Sequence, residues 1–289
     1  MSVITINNIS KRFGRQVALD GVSFTVEEGD IFGFLGPNGA GKSTTLRCLL
    51  DFLHPNSGKI TIFDKDAHRD SVRLRKLIGY VPAEPMLYAD LSVKKHIAFV
   101  ATGHTTTVLE KAHELASQLG LDVSKRIKQL STGNQQKVAL ILALAAQPKL
   151  LILDEPTRGL DPLLRSQLHD ILRDYRDGGG TVLLSSHDLS EVDELCNRIA
   201  VIQNGKVIED TSMEKLRKKQ GHTIKIIFDG PAPNLTDLAS EIIHQTHQSA
   251  EFIVRGDMQP TLALLAKQKL KDITIRTASL EDIFMELYA

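Results

Sequence analysis

The sequence is poor in cysteine, has no excess of either charge and contains no long apolar run. Each shortage removes a class of protein. Its two cysteines, Cys48 and Cys196, fall in predicted helices without metal-ligand spacing, so there is no disulfide framework and the pattern suits a reducing cytosol. Thirty-five Lys and Arg balance 35 Asp and Glu. The basic excess or stripe of a nucleic-acid footprint is therefore missing, and no nucleic-acid partner is expected. The densest basic stretch, Lys215, Arg217, Lys218 and Lys219, reads as a solvated helix end near a linker. The longest apolar stretch, Val138 to Ala146, has nine residues, far below the roughly 18 needed to span a bilayer. The start, Met1 to Ile6, alternates like a strand and lacks the charged region and apolar core of a secretory signal. The chain is expected to stay where it is made. With 289 residues, 42% hydrophobic and 24% charged, it is neither disordered nor fibrous in composition.

What is present is a phosphate-binding signature. Residues Gly36-Pro37-Asn38-Gly39-Ala40-Gly41-Lys42-Ser43-Thr44 follow the apolar run Ile31-Phe32-Gly33-Phe34-Leu35 and precede a helical pattern. The spacing of Gly36, Gly41, Lys42 and Ser43 is the Walker A pattern of a nucleoside triphosphate site. Its glycines let backbone N–H groups wrap the phosphates, Lys42 reaches the β and γ oxygens, and the Ser43 hydroxyl is placed to ligate Mg²⁺. Leu46, Leu49, Leu50 and Leu53 form one apolar face of the following helix, whose positive N-terminal end points at the phosphates.

The pattern along the chain is α/β. Short strands are predicted around Val3–Ile6, Val22–Val26, Ile31–Leu35 and Lys59–Phe63. From about Met86 to Ala146 the pattern turns helical, with Ser92 capping one helix, Leu109 to Leu119 forming another and Ser131 opening a third. Leu150 to Leu153 reads as a parallel strand covered on both faces, ending in Asp154-Glu155. Asp161-Pro162 starts a helix that Gly178-Gly179-Gly180 stops, and Thr181 to Leu184 is a second buried strand, ending in Ser185-Ser186-His187. Both strands carry polar residues just past their carboxyl ends, where open α/β sheets place ligands. Asn204-Gly205 is a hairpin signal. From about Thr223 a new rhythm begins: strand 224–228, a short helix near Leu235–Ala239, strand 252–254, helix 261–268, strand 273–275 and a last helix from Leu280. The domains are therefore set at 1–215, a nucleotide-binding domain with a helical insert at about 86–146, and 216–289, a small α+β accessory domain.

Further elements narrow the family. Leu130-Ser131-Thr132-Gly133-Asn134 resembles the signature loop of ABC ATPases, and Leu150 to Glu155 resembles their Walker B strand with its extra glutamate. Gly159-Leu160-Asp161 resembles their D-loop, and His187 stands at the position of their switch histidine. The elements occur in family order over residues 1 to about 210, and no Asn-Lys-x-Asp element of a GTPase is present. The chain is thus similar to the nucleotide-binding subunit of an ABC transporter: a P-loop NTPase with a helical insert.

That resemblance implies roles. Asp154 would hold Mg²⁺, Glu155 would polarise the attacking water and His187 would contact the γ-phosphate. Ser131 and Gly133, at a helix start, make an anion site that in the family faces the ATP of a partner subunit. A head-to-tail dimer, of like or unlike ATPase subunits, is implied. Phe13 is similar to the aromatic that stacks on adenine, or else a core residue. Ala83 departs from the family's glutamine, and Arg158 from its usual small residue. The expected function is an ATP-hydrolysing subunit, cytoplasmic and peripheral on the inner face of the cell membrane through a separate integral-membrane permease. The run Ala278 to Leu287 resembles the last helix of drug and antibiotic exporter subunits, which tilts the direction toward export. The rivals are a soluble non-transport ABC ATPase and a degenerate regulatory ATP-binding module.

Overall fold

The computed structural model describes residues 1–102, 106–219, 221–235 and 239–277. The chain divides into two compact units, with the division after Thr211. In chain order the first unit runs β1 (Ser2–Phe13), β2 (Gln16–Glu27), β3 (Ile31–Leu35), α1 (Lys42–Leu49), β4 (Ser57–Ile62), β5 (Lys65–Asp66), α2 (Ser71–Arg75) and β6 (Ile78–Val81). It continues with α3 (Val93–Val100), α4 (Thr106–Gln118), a 3₁₀ turn (Ile127–Gln129), α5 (Thr132–Ala145), β7 (Leu150–Asp154), α6 (Pro162–Asp177), β8 (Thr181–Ser186), α7 (Leu189–Leu195), β9 (Arg198–Gln203) and β10 (Lys206–Ser212).

Two sheets organise this unit. The central one has the order β10-β9-β3-β8-β7-β6, in which the successive pairs β9–β3, β3–β8, β8–β7 and β7–β6 are parallel. Strands β3, β7 and β8 are buried along their whole length, as expected of strands covered on both faces, with their polar residues confined to the strand ends. The second sheet, β2-β1-β4-β5, is antiparallel. Phe24 of β2 stacks between Phe32 and Phe34 of β3, with ring centroids 5.4 and 4.9 Å away. The aromatic stack fixes the second sheet against the strand that feeds the phosphate loop.

The helices start where their caps dictate. Ser92 accepts from Lys95 N, Ser131 from Asn134 N and Asp161 from Leu164 N, each satisfying an N–H that the first helical turn leaves free. Three expectations are corrected. The helix α1 ends at Leu49, so Leu53 packs on the core from the segment after it; Asp51 takes a left-handed φ of 59° that stops the helix. The first strand runs to Phe13 instead of Ile6, because Asn8 at φ 51° absorbs a register shift and pairing resumes beyond it. The hairpin strand β2 likewise begins at Gln16.

The second unit contains α8 (Met213–Lys219), β11 (His222–Phe228), β12 (Glu241–Gln245), β13 (Ser249–Val254), α9 (Gln259–Leu265) and β14 (Leu270–Thr277). Its antiparallel sheet has the order β12-β13-β11-β14 around its own core of Ile224, Ile226, Phe228, Phe252 and Leu265. The strand β12 was not expected. The helix expected near Leu235–Ala239 lies partly, and the one from Leu280, with the run Ala278 to Leu287, wholly outside the described residues. Among the described residues no helix is long and apolar enough to cross a membrane.

Candidate active site

The phosphate loop is held by its glycines and by its neighbours. A Cβ at Gly36 would collide with the Ile202 carbonyl, and Gly41 sits at φ 115° with a would-be Cβ 2.9 Å from the Ala18 carbonyl. Only glycine fits either position. The Gly36 amide donates to Ser186 O at 3.2 Å and the Gly205 amide to Ala40 O at 2.9 Å, so both the next strand and the β9–β10 turn stitch the loop down.

Lys42 is 5% exposed, and its Nζ donates to Gly36 O at 2.6 Å and Pro37 O at 3.2 Å. It lies 3.6 Å from Glu155 Oε1. Burial pulls the lysine pKa below its ordinary value, and the carboxylates of Glu155 and Asp154 oppose that pull. Asp154 ends β7, and its Oδ1 accepts from Ser185 Oγ at 2.6 Å and Ser43 Oγ at 3.2 Å. Two hydroxyls and a carboxylate thus converge, a set of hard oxygen donors of the type that Mg²⁺ takes. The same carboxylate, with burial as the larger cause, pushes the Tyr80 hydroxyl up to about 12.

Glu155 follows at φ 49°. Such a left-handed backbone costs of order 1 kcal/mol or more and is retained where surroundings enforce it. Here its amide donates to both the carbonyl and the hydroxyl of Ser185, each at 3.1 Å. Oε1 is then 3.4 Å from His187 Nδ1. The loop carrying His187 is set from behind: Ser186 Oγ donates to the buried Glu191 at 2.5 Å and accepts from the Asp188 amide at 2.9 Å. Burial raises the Glu191 carboxyl above its ordinary range, and the Ser186 hydroxyl partly offsets this.

Phe13, Asn38, Lys42, Ser43, Glu155 and His187 line one cleft of about 690 Å³. Phe13 is 47% exposed, with Lys11 Nζ 5.4 Å from its ring centroid, so it is no core residue. Gly39, Gly41 and Thr44 line the cleft as well. Ser131 and Gly133 do not; they sit at the start of α5, where Gly133 lies near Leu160 and Gly159. Ala83 and Arg158 line the same cleft, and Arg158 NH1 is 3.8 Å from Glu84 Oε1. Sequence reasoning placed Ser185 and Ser186 at a strand end and marked Arg158 as a departure but gave none of them a role in the site, and it missed Glu191 altogether. The only signal for Ser185 was its place past an apolar run.

A family model described as ABC transporter matches residues 19–158. An uncharacterized ABC transporter ATP-binding protein of Bacillus subtilis, YhcH, is 32% identical over 99% of this chain and 96% of its own length. The chain belongs to the ABC transporter ATP-binding proteins. Nod factor export ATP-binding protein I of Burkholderia lata is 34% identical, over 98% of this chain and 96% of that protein. Among solved structures, an ATP-binding subunit of an ABC transporter matches with a TM-score of 0.70 at 28% identity, covering 75% of this chain and 92% of that one. An ATP-binding cassette in its ADP conformation gives 0.67 at 25% identity, over 76% and 94%. The ABC ATP-binding chain is accordingly a P-loop ATPase that works as the nucleotide-binding subunit of a transporter.

The buried Lys42 makes a prediction. Replacing it by methionine removes a desolvated charge while keeping the side chain's length, so the nucleotide-free protein should melt no lower than the unsubstituted chain. Saturating ATP at one hundred times its Kd should stabilise the unsubstituted chain by about 2.7 kcal/mol. In Lys42→Met less than half of the corresponding rise in Tm should remain. Thermal melts with and without ATP check this, and an undiminished rise would remove Lys42 from phosphate binding.

Proposed function

We propose that ATP lies in the Phe13–His187 cleft with its base on the Phe13 ring and its phosphates in residues 36–44, where Lys42 exchanges its carbonyl partners for phosphate oxygens. Ser43 and Asp154 would hold Mg²⁺, which when bound supplies charge neutralisation at the phosphates. Glu155 accepts a hydrogen bond from the attacking water, and His187 steadies both the glutamate and the γ-phosphate. Water's oxygen bonds to the γ-phosphorus as the bond to the ADP oxygen breaks, and the proton that the water gives up passes to Glu155 and from there to the released phosphate or solvent. The observation that carries this reading is the convergence of Lys42, Ser43, Asp154, Glu155 and His187 within hydrogen-bonding or ion-pairing distance at the carboxyl ends of three adjacent strands.

Ser131 and Gly133 serve a second cassette in a head-to-tail dimer, of like or unlike chains. Gly133 supports this. A Cβ there would meet nothing nearer than 3.5 Å and its φ is not left-handed, so the chain's own packing does not require glycine, whereas close approach of a phosphate would. Arg158 adds a second cation to the cleft on the side where Ala83 brings no polar group. The nucleotide cassette comprises residues 1–211 and the accessory domain residues 212–289, the boundary lying a few residues before the 215 expected from the sequence. The relatives named for Nod factor export favour export through a separate permease, which keeps the subunit on the inner face of the cell membrane.

The permease docks beside the cleft. A hollow of about 1030 Å³ adjoins it, lined by Pro82, Met86, Val100 and Leu142 and reaching Ser43 and Asp154. Met86 is 97% exposed and Tyr88 and Phe99 are more than half exposed. An apolar patch of this kind marks an interaction surface, and Ala83 borders both it and the nucleotide cleft.

Two experiments test these assignments. Glu155→Gln should bind Mg-ATP, hydrolyse it at least about 100-fold more slowly and accumulate an ATP-dependent dimer in light scattering; a monomer at saturating ATP would contradict the shared site. Met86→Glu should keep the ATP affinity of the isolated subunit and lose most of its permease in co-purification. Undiminished permease capture would move the docking surface elsewhere.

A further inference from the structure

Asp51, His54 and His68 lie outside the nucleotide cleft and bring three ligand atoms together. All three atoms fall within 4.8 Å of one another. His68 Nδ1 is 2.8 Å and His54 Nδ1 3.2 Å from the same Asp51 Oδ1, with the two rings 4.4 Å apart at 74°. Asp51 is 11% exposed, the histidines about two-thirds.

The backbone holds this arrangement from two sides. After α1 the amides of Phe52 and Leu53 both donate to Arg47 O, which turns the chain back on itself, and Asp51 adopts φ 59°. His54 is then fixed by Lys11 Nζ, which donates to its carbonyl at 2.6 Å, and by Pro55 behind it. On the facing segment Asp66 Oδ1 accepts from the His68 amide at 3.1 Å and the Arg69 amide at 3.0 Å, closing the turn that presents His68. Arg75 approaches the other carboxylate oxygen, Oδ2, at 3.9 Å.

Two ring nitrogens meeting on one carboxylate oxygen can be satisfied by protons only if both rings carry hydrogen on Nδ1. One cation replaces both protons and uses all three lone pairs. We propose that Asp51, His54 and His68 bind a divalent transition-metal ion of the zinc class, through two imidazole nitrogens and one carboxylate oxygen, with a fourth position open to water. Imidazole donors suit Zn²⁺, Ni²⁺ and Cu²⁺ and discriminate against Mg²⁺, which demands oxygen. The site is therefore chemically distinct from the Ser43–Asp154 pair. Cys48 borders the same hollow of about 350 Å³, but burial pushes its thiol up to about 11 and it stays protonated. The ion cross-links the carboxyl end of α1, the helix that begins with Lys42 and Ser43, to the turn after β5.

The test uses the full-length, nucleotide-free chain after chelator treatment. Zn²⁺ alone is titrated in by calorimetry, and Co²⁺ absorption in the visible reports the ligand set. Ten histidines are present in the chain, so variants decide. The unsubstituted chain should bind one Zn²⁺ that excess Mg²⁺ does not displace. His54→Ala and His68→Ala should each weaken it at least about tenfold, and the double variant should lose the Co²⁺ bands while keeping its ATP-induced rise in Tm, which shows that it is folded. Absence of Zn²⁺ binding in the unsubstituted chain, or equal affinity and stoichiometry in the double variant, overturns the proposal.

Discussion

A buried ammonium group held against a glutamate and two loop carbonyls is the constraint around which the cassette is arranged. Lys42 lies out of water, and its nearest carboxylate, Glu155, is itself only 14% exposed. Neither charge has a full set of partners: Lys42 relies on carbonyls, Glu155 on a lysine at 3.6 Å and a histidine at 3.4 Å. Charges desolvated in this way are costly unless paired. On the reading proposed above, a triphosphate with Mg²⁺ would complete them, and the cleft is in that sense a mould for the charge of its nucleotide.

The sheet makes the mould possible. In the parallel register Leu35 pairs with Ser186 and Asp154 with Ser185, so the loops after β3, β7 and β8 leave the sheet at the same level. Lys42, Glu155 and His187 can then meet although more than 140 residues separate the first from the last. The strands must be apolar on both faces to be covered by helices, which confines every polar group of the site to the strand ends. The strained backbone at Glu155 is enforced by the same register, since both of its amide's acceptors belong to Ser185.

The legible parts of the chain were those where one local signal suffices. The phosphate loop, the three buried strands and the caps Ser92, Ser131 and Asp161 are each written in adjacent residues, and the structure has them where those residues lie. Less legible was anything set by pairing or by one unusual backbone angle. Asn8 interrupts alternation, so β1 looked half its length; Asp51 ends α1 although Leu53 continues the helical spacing; the five residues of β12 are all exposed, so no apolar alternation announced them. Within the site, the partnership of Ser185 with Asp154 depends on register, and the approach of Arg158 to Glu84 joins segments more than 70 residues apart. Such pairings are tertiary facts that no window of sequence contains.

One cleft supplies only part of an ATPase site if Ser131 and Gly133 act on a partner's nucleotide, and this division of labour is the central claim. It is tested most directly by mixing two inactive chains, one carrying Lys42→Ala and the other Ser131→Ala. In a head-to-tail heterodimer one site combines both lesions and the other has neither. With random pairing half of the dimers are mixed, so hydrolysis should recover to about one quarter of the unsubstituted rate. A mixture no more active than the sum of its separate components would contradict the shared site.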